Sequence, residues 1–384
     1  MYIFLFSLQK IQNHMEPLFV DADIRHAETL PTSFYRQPAY YELSREAVFA
    51  RTWQYAADTS AVDKPGTAYP FTYLPGYLEE PLLLTHDRSG QRRCLSNVCT
   101  HRGKILVEKP GPYRQLSCRY HGRCFGLDGQ FRSMPAFQET EDFPRAEDHL
   151  TTIPMTEWLG LCFVSLDPAA PLTEMVAPIM ERVGHLPLNT LTFVPEQSQD
   201  FYVQSHWALY CDNYLEGFHI PFVHPALNQA IDFNAYEYHQ FDYCNLQVGI
   251  AGEGEPAFSL PSGHPDHGRS IYGYYFWLFP NLMFNFYPWG LSLNLVLPQG
   301  PDKCLVKFRS YYFAGTTFDR SANALEETEH EDEEVVESVQ LGMQSRYYRT
   351  GRFSPKMEPN VHHFHHLLAQ FINTALTGDA PPKP

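Results

Sequence analysis

Two short segments of the sequence each combine one cysteine with one histidine. Cys99-Thr-His101 is followed, after sixteen residues, by Cys118-Arg-Tyr-His121. In a [2Fe–2S] cluster of the Rieske type, two thiolates bind one iron and two imidazoles bind the other. Two loops that each supply one ligand of each kind meet that requirement. The feature constrains the fold strongly, because both loops must converge on one cluster held by Cys99, His101, Cys118 and His121.

A zinc site is the main alternative, since two cysteines and two histidines also bind zinc. Zinc fingers, however, place cysteine with cysteine and histidine with histidine, whereas both pairs here are mixed. Gly103 and Gly122 follow the histidines closely and allow tight loops around the sulfides of a cluster. The pattern therefore favours the iron–sulfur cluster. Cys94 and Cys124 lie nearby, and we interpret both as structural.

Composition and charge restrict the remaining classes. A chain of 384 residues predicts two domains, and its 44% hydrophobic and 19% charged residues indicate a globular protein. The net charge of −16 argues against nucleic acid and anionic membranes as partners. No apolar run is long enough to span a bilayer. The opening MYIFLFSLQK lacks a preceding basic residue and a cleavage site, so we do not interpret it as a signal peptide, and Met15 is an alternative start. Scattered cysteines predict a cytoplasmic location.

Residues 65–165 contain short apolar runs separated by Gly, Pro and Asp turns, which predicts a small β-domain. Residues 167–171 predict a linker, and a second domain that mixes helix and strand follows it. The segment 291–297 alternates at period two, as a half-buried strand does. The other predicted elements are helices over 39–54 and 326–349, a strand over 301–313, and a long mobile loop or lid over 250–270.

A second group of polar residues lies between positions 212 and 224. Asp212, Glu216 and His219 are spaced at i, i+4 and i+7, which places them on one face of a helix. Pro221 bends the chain, so that His224 can turn back toward His219. Two histidines with one carboxylate suit a mononuclear non-heme Fe(II). From the residues alone, ordinary core histidines remain an alternative.

The carboxylate ligand is expected in the acidic run 326–334, whose alternative interpretation is a solvated helix start stabilised by the helix dipole. At about 100° per residue, Asp332 lies at the centre of the apolar stripe of this helix. Glu331 and Glu333 lie about 100° to either side. An inward carboxylate without a partner is costly, and a metal ion would remove that cost. The stripe consists of Val335, Val336, Val339 and Met343.

Together these motifs resemble the catalytic alpha subunit of Rieske non-heme iron oxygenases, over almost the whole chain after about residue 30. The cluster motifs Cys-Thr-His-Arg-Gly and Cys-Arg-Tyr-His-Gly and the pattern acid-x3-acid-x2-His-x4-His carry the resemblance. It implies that His219, His224 and Asp332 bind the iron. It also implies that Glu216 bridges the iron centre and the cluster of a neighbouring subunit, and Glu216 and Asp212 are the predicted catalytic carboxylates.

The resemblance implies an α+β fold: an all-β Rieske domain over 55–167 and a helix-grip catalytic domain over 168–384, in which an antiparallel sheet wraps a long C-terminal helix. Residues 1–54 are expected to pack on the catalytic domain, and the assembly is expected to be a homotrimer. Two residues depart from common family patterns. Glu216 stands where many members have Asp, and Arg123 where ring-hydroxylating relatives often have Trp. The first departure is shared with the choline/carnitine monooxygenase-like branch.

The implied reaction is hydroxylation of a small organic substrate with O₂. Electrons from NAD(P)H would arrive through a separate reductase, with or without a ferredoxin, because the chain has no Rossmann fingerprint and no flavin motif. The aromatic segment 271–289 is interpreted mainly as core strands, with some rings around a quaternary ammonium ion or, equally, a flat aromatic substrate. An aromatic-ring dioxygenase or a demethylase therefore stays open. So does a Rieske electron carrier without catalysis, although the chain length and the second metal motif argue against it.

Overall fold

The computed structural model describes residues 15–232, 235–316 and 322–378. The opening segment MYIFLFSLQK lies outside the described residues. The chain divides into two compact units, one over Arg51–Pro168 and the other formed by the residues up to Ala50 together with those from Ala169 onward. Among the described residues, no helix is long and apolar enough to cross a membrane. The predicted cytoplasmic location stays a prediction.

The first unit is built from short antiparallel strands in three sheets, with the orders β5-β2-β3-β4-β9, β1-β11-β10 and β6-β7-β8. Its core is a cluster of buried apolar residues that includes Leu83, Leu95, Leu116 and Phe125 together with both predicted cluster cysteines. The strands are β1 Gln54–Asp58, β2 Thr67–Tyr73, β3 Glu80–His86, β4 Arg92–Ser96, β5 Gly111–Pro112, β6 Leu116–Ser117, β7 Cys124–Phe125, β8 Phe131–Ser133, β9 Thr152–Ile153, β10 Met155–Trp158 and β11 Leu161–Val164.

The second unit contains one large antiparallel sheet of order β12-β19-β18-β17-β16-β15-β14, and β13 pairs with β19 as well. Strands β14 to β19 follow one another in the chain and in the sheet, so each pairs with its sequence neighbour. The strands are β12 Thr192–Phe193, β13 Gln199–Val203, β14 Glu237–Gln240, β15 Cys244–Ile250, β16 Ile271–Leu278, β17 Leu282–Tyr287, β18 Gly290–Gly300 and β19 Lys303–Tyr312.

The helices of the described residues, apart from short 3₁₀ turns, all belong to the second unit. The last one packs on the sheet, because the ring of Trp277 lies 5.0 Å from that of Phe364 and the ring of Phe279 lies 4.8 Å from that of Phe371. This confirms the predicted α+β class. The helices are α1 Thr32–Arg36, α2 Pro38–Ala47, α3 Leu172–Met175, α4 Ala177–Val183, α5 Trp207–Tyr214, α6 Ile220–Val223, α7 Pro225–Ala230, α8 Ala322–Gly342 and α9 Pro359–Thr377.

Strand β18 corrects one prediction. Its polar positions were expected to face solvent, but the strand is buried along most of its length. Helix α5 packs against the strand. The strand's polar residues Ser292 and Asn294 line a cavity, and the Ser292 hydroxyl donates a hydrogen bond to Asn294 Oδ1 at 2.8 Å. Two predicted helices also end early, α2 at Ala47 and α8 at Gly342.

The predicted loop over 250–270 has no regular helix or strand between β15 and β16. It is anchored at Asp266, a buried carboxylate. Tyr274 donates a hydrogen bond to Asp266 at 2.8 Å, and Arg269 donates another at 2.7 Å. Arg182 forms an ion pair with the same side chain. Despite burial, these partners hold the pKa of Asp266 below its usual range, so the loop is fixed by a charged contact at this point.

Candidate metal centres

The two loops that carry the predicted cluster ligands have the same backbone geometry. In each loop the cysteine N–H donates to the carbonyl five residues later, at 2.8 Å in both cases. The N–H of the glycine four residues after each cysteine donates back to the cysteine carbonyl, at 3.0 Å in both. Gly103 and Gly122 have φ angles of +71° and +75°, a region that glycine adopts at low cost. Both loops are therefore tight turns of one type, as the sequence predicts.

The ligand atoms of these loops converge as two like pairs. His101 Nδ1 lies 3.1 Å from His121 Nδ1, and the buried thiols of Cys99 and Cys118 are neighbours. Burial and the adjacent Cys118 thiol raise the pKa of Cys99. A single zinc ion would need the four donor atoms in one coordination sphere. Within the described ranges, the donor atoms of His219, His224 and Asp332 lie within 4.8 Å of one another. The four donor atoms of the two cluster loops do not form such a group. Separate thiol and imidazole pairs fit the two irons of a Rieske cluster.

Arg123, which departs from the common family pattern, lies at the end of the second cluster loop. Its buried guanidinium donates to Asp148 Oδ1 at 2.5 Å and lies over the rings of Phe125, Phe131 and Phe143, at 5.2 to 5.7 Å from their centres. A delocalised cation over aromatic faces is stabilised by the ring quadrupoles. Arg123 is therefore stabilised in this buried aromatic environment by its ion pair with Asp148 and by the three rings.

The second metal motif does not lie on one helix face, which corrects the predicted arrangement of Asp212, Glu216 and His219. Helix α5 ends at Tyr214, and the chain then makes a turn before α6 begins at Ile220. The turn passes so close to the ring of Tyr236 that a Cβ at Gly217 would lie 2.9 Å from it. Glycine is therefore the residue that fits this position of the turn without a shift of Tyr236.

Proline residues set the positions of both histidines. His219 is the residue just before α6, which has Pro221 in its first turn, and His224 lies between α6 and α7, which begins at Pro225. Proline suits the first turn of a helix because no intrahelical partner is lost there. Pro221 thus starts a helix rather than ending one, and the short turn of α6 brings the two imidazoles together, 5.1 Å between ring centres.

His219, His224 and Asp332 form a compact group of metal-binding side chains, with one donor atom of each within 4.8 Å of the others. Asp332 Oδ1 lies 3.0 Å from His224 Nε2 and 3.6 Å from His219 Nε2. Asn213 donates to the same oxygen at 2.5 Å and so orients the carboxylate. Two imidazoles and one carboxylate match the ligand set that non-heme Fe(II) prefers.

Each histidine also has a carboxylate on its other ring nitrogen. Glu216 Oε1 lies 2.7 Å from His219 Nδ1, and Glu331 Oε2 lies 2.7 Å from His224 Nδ1. Such partners fix the ring and direct Nε2 toward the metal. Burial lowers the pKa of His224, but Asp332 and Glu331 outweigh it, so this pKa is raised. The role of Glu331 was missed, because the helical wheel placed it off the inward face.

Asp212 is not brought to this group. It accepts a hydrogen bond from the Tyr35 hydroxyl at 3.0 Å and lies 2.9 Å from His365 Nε2. The other ring nitrogen of His365 accepts from the Leu30 N–H at 3.1 Å. Asp212 therefore ties the residues before α2 to helix α9 and has no contact with the metal-binding histidines among the described interactions.

A cavity opens beside the group. Its lining contains six aromatic side chains, four amides and three carboxylates, and none of the lining residues in the described ranges is a lysine or an arginine. The aromatic residues are Tyr210, Tyr214, Tyr236, Tyr275, Tyr287 and Phe308; the amides are Asn213, Gln247, Asn285 and Asn294; the carboxylates are Glu216, Glu329 and Asp332.

Sequence comparison agrees with both centres. Residues 52–144 match the family "Rieske [2Fe-2S] domain", and residues 190–374 match "Ring hydroxylating alpha subunit (catalytic domain)". The chain belongs to the Rieske non-heme iron oxygenases. The predicted oxygenase activity, Rieske cluster and mononuclear iron are thereby confirmed. A pure electron carrier has no support, because the catalytic domain is present.

Among curated relatives of this oxygenase, the chloroplastic choline monooxygenase of Beta vulgaris is 29% identical over 380 residues, which cover 95% of this chain and 81% of that protein. The carnitine monooxygenase oxygenase subunit of Escherichia coli (strain K12) is 27% identical over 370 residues, with coverage of 91% and 95%.

Two solved structures show the shared fold. The quaternary ammonium Rieske monooxygenase CntA in complex with L-carnitine has a TM-score of 0.74 at 23% identity, covering 93% of this chain and 99% of that one. Naphthalene 1,2-dioxygenase from Rhodococcus sp. bound to indole has a TM-score of 0.70 at 18% identity, with coverage of 97% and 98%. Oxygenases for cationic and for aromatic compounds thus share this fold, which does not by itself identify the substrate.

Proposed function

We propose that this oxygenase hydroxylates a C–H bond of a small quaternary ammonium compound. His219, His224 and Asp332 would hold the iron, and Cys99, His101, Cys118 and His121 the cluster, as the sequence predicts. The relatives named for choline and carnitine support this substrate class. The observation that carries the proposal is the cavity beside the histidines.

The lining of that cavity favours a cation over an anion. Aromatic faces attract ammonium groups, with about 0.5–2 kcal/mol for each good contact. Three carboxyl groups add negative potential, and among the described residues of the lining there is no lysine or arginine. A flat neutral substrate would use the rings but would leave the buried carboxylate of Glu329 without a cationic partner. Charge therefore favours the ammonium compound over an aromatic hydrocarbon.

The protein would contribute to the chemistry by holding the iron and orienting its ligands and the substrate. Iron bound to three protein ligands would keep positions free for O₂ beside the substrate and would supply the oxidising chemistry. Glu216 and Glu331 keep both imidazole Nε2 atoms directed inward, and Asn213 fixes the Asp332 carboxylate. The aromatic walls exclude water from the reacting carbon.

We also infer a homotrimer in which the cluster of one subunit serves the iron of the next through Glu216, with electrons from NAD(P)H delivered by a separate reductase. Phe218 and Phe222, on the turn that carries His219, are 42% and 79% exposed. Tyr120, whose ring lies 3.7 Å from that of His121, is 52% exposed. Exposed aromatic residues at both centres are typical of protein interfaces. One related structure is described as revealing inter-subunit electron transfer.

Charge supports the same contact. Residues 51–168 contain 13 basic and 14 acidic residues, so nearly all of the net charge of −16 lies in the other unit. Arg102 and Arg119, in the two cluster loops, are exposed. Basic cluster loops of one subunit would meet the acidic catalytic unit of another with favourable electrostatics.

The substrate class is tested with the holoenzyme and a surrogate reductase, by measuring NADH and O₂ consumption together with product. A trimethylammonium compound is expected to stimulate turnover more than its neutral tert-butyl isostere, by about tenfold, since the isostere lacks the charge. Equal stimulation by both would favour a neutral substrate instead.

The assembly is tested by Phe222→Ser. Because this side chain is exposed in the single chain, its removal is expected to leave folding unchanged while weakening the trimer in sedimentation experiments. A wild-type protein that is monomeric and fully active at low concentration would contradict the inter-subunit route.

A further inference from the structure

One polar atom in the cavity wall has no partner. Gln247, on strand β15, is 2% exposed, and its amide Nε2 donates to the Tyr214 carbonyl at 2.7 Å. Its Oε1 has no hydrogen-bond partner among the residues that the structure describes. Buried polar atoms are nearly always paired, and an unpaired one is costly. Because the amide nitrogen is held by Tyr214, Gln247 presents a fixed acceptor to whatever enters the cavity.

A buried acid lines the same cavity. Glu329 is 3% exposed, and both its carboxylate oxygens lie near the Tyr210 hydroxyl, at 2.9 and 2.8 Å. Burial and the neighbouring Asp332 raise the pKa of Glu329 well above its usual range. A cation beside this carboxylate would remove the cost of its charge.

Both features belong to one cavity, which can hold a small bifunctional molecule. Glu329 accepts a hydrogen bond from the Tyr210 hydroxyl, and the Gln247 amide donates to the Tyr214 backbone carbonyl. Glu329 and Gln247 line the same cavity. An acidic group and a hydrogen-bond acceptor are therefore both available to one ligand.

We propose that the cavity selects a quaternary ammonium compound that bears a hydroxyl group and no carboxylate, with Glu329 facing the ammonium and Gln247 Oε1 accepting the hydroxyl proton. This inference rests on the proposed function and narrows it. A substrate carboxylate would meet an acceptor oxygen at Gln247 and no basic side chain in the described lining. Sites built to bond a hydroxyl reject analogues without one by large factors.

The ligand series uses wild-type holoenzyme and two readouts, anaerobic calorimetric binding and kcat/KM with a surrogate reductase. The probes are choline, ethyltrimethylammonium (which lacks the hydroxyl), 3,3-dimethylbutan-1-ol (which lacks the charge), L-carnitine and γ-butyrobetaine. We expect choline to exceed both carboxylates by at least about a hundredfold. Preference for either carboxylate would overturn the inference but leave the proposed function intact. Binding of the neutral alcohol alone would overturn both.

Two substitutions distinguish the proposed role of Gln247 from that of Glu329. Gln247→Met is expected to weaken choline binding about tenfold and to leave ethyltrimethylammonium unchanged, as removal of one hydrogen bond requires. Glu329→Gln, which can still bond Tyr210, is expected to weaken both cations about tenfold and not the neutral alcohol. Gln199→Met, on β13 and outside the cavity lining, is the matched control.

Iron content and circular dichroism report whether each variant is folded. Equal losses for choline and ethyltrimethylammonium in Gln247→Met would refute the hydroxyl contact. A fall in kcat for every substrate in Glu329→Gln, with binding unchanged, would refute the ammonium contact. If a variant fails to fold, the wild-type ligand series decides.

Discussion

Glu216 makes two hydrogen bonds to His219, one of the metal-binding residues. The effect of losing these bonds on iron binding can be measured separately from any role of Glu216 in electron transfer. Its carboxylate accepts from the His219 ring at 2.7 Å and from the His219 backbone N–H at 3.0 Å. Glu216→Gln keeps one acceptor oxygen and loses the charge. A hydrogen bond to a charged group contributes about 1.5–3 kcal/mol and a neutral one about 1 kcal/mol. We therefore expect a loss of about 1–2 kcal/mol, or five- to thirtyfold in iron affinity, within the range typical for residues that orient metal ligands.

Glu331→Gln is the matched control, because Glu331 makes the same 2.7 Å contact with His224. Iron competition titrations should show similar losses for both variants. The difference should appear in single-turnover experiments with pre-reduced enzyme at saturating Fe(II), substrate and O₂. In Glu331→Gln the cluster should reoxidise with product formation at close to the wild-type rate, and in Glu216→Gln it should stay reduced. Reoxidation at the wild-type rate in Glu216→Gln would refute the bridging role. Equal loss in both variants would assign the effect to histidine orientation.

Three further predictions concern the cluster, the mononuclear iron and Arg123. Cys99→Ser or Cys118→Ser should abolish the reduced-state EPR signal of the cluster, since both thiolates hold the same iron; a zinc-loaded protein that never shows the signal would contradict the assignment. Asp332→Ala should lower iron from about three to about two per chain with the cluster intact, whereas Glu333→Ala should not; the reverse result would move the ligand. Arg123→Met should lower the free energy of unfolding by about 2 kcal/mol through the lost ion pair with Asp148, measured by denaturant titration; an unchanged midpoint would show that the pair contributes nothing.

The parts of the site that the sequence predicted are those fixed by local geometry. The cluster ligands lie in two short loops, so their spacing alone carries the information. The helical wheel identified Asp332 because α8 is a regular helix through that region. Even there the apolar stripe was only partly right. Val336 and Met343 are buried, but Val339 is 39% exposed, and Gln340 is buried in its place because Gln340 Oε1 accepts from the His206 N–H at 3.0 Å.

The missed parts depend on contacts between distant residues. Glu329 and Glu331 look like ordinary acids of a solvated helix start until Tyr210 and His224, each more than 100 residues earlier, are placed beside them. The helix-face assignment of Asp212 failed for a related reason. Periodicity assumes that a helix continues, but α5 ends at Tyr214, and Glu216 and His219 lie beyond its end. Tertiary contacts, not local preference, decided these positions.

The distribution of charge around the iron site connects the metal, the substrate and the partner subunit. Glu216, Glu331 and Asp332 contact two histidines that must be neutral to bind a metal, Glu329 lines the same cavity, and the lining has no lysine or arginine in the part of the chain that the structure describes. Fe(II) would offset the charge on Asp332 directly and the charge on Glu331 through His224. Burial raises the pKa of Glu329, and an ammonium substrate beside it would favour its ionised form. The charge that remains is on Glu216, the residue that the proposed contact with a neighbouring cluster histidine would meet. A substrate with its own carboxylate would add a negative charge that no lysine or arginine of the described lining could pair, and for that reason the site should discriminate by net charge before it discriminates by shape.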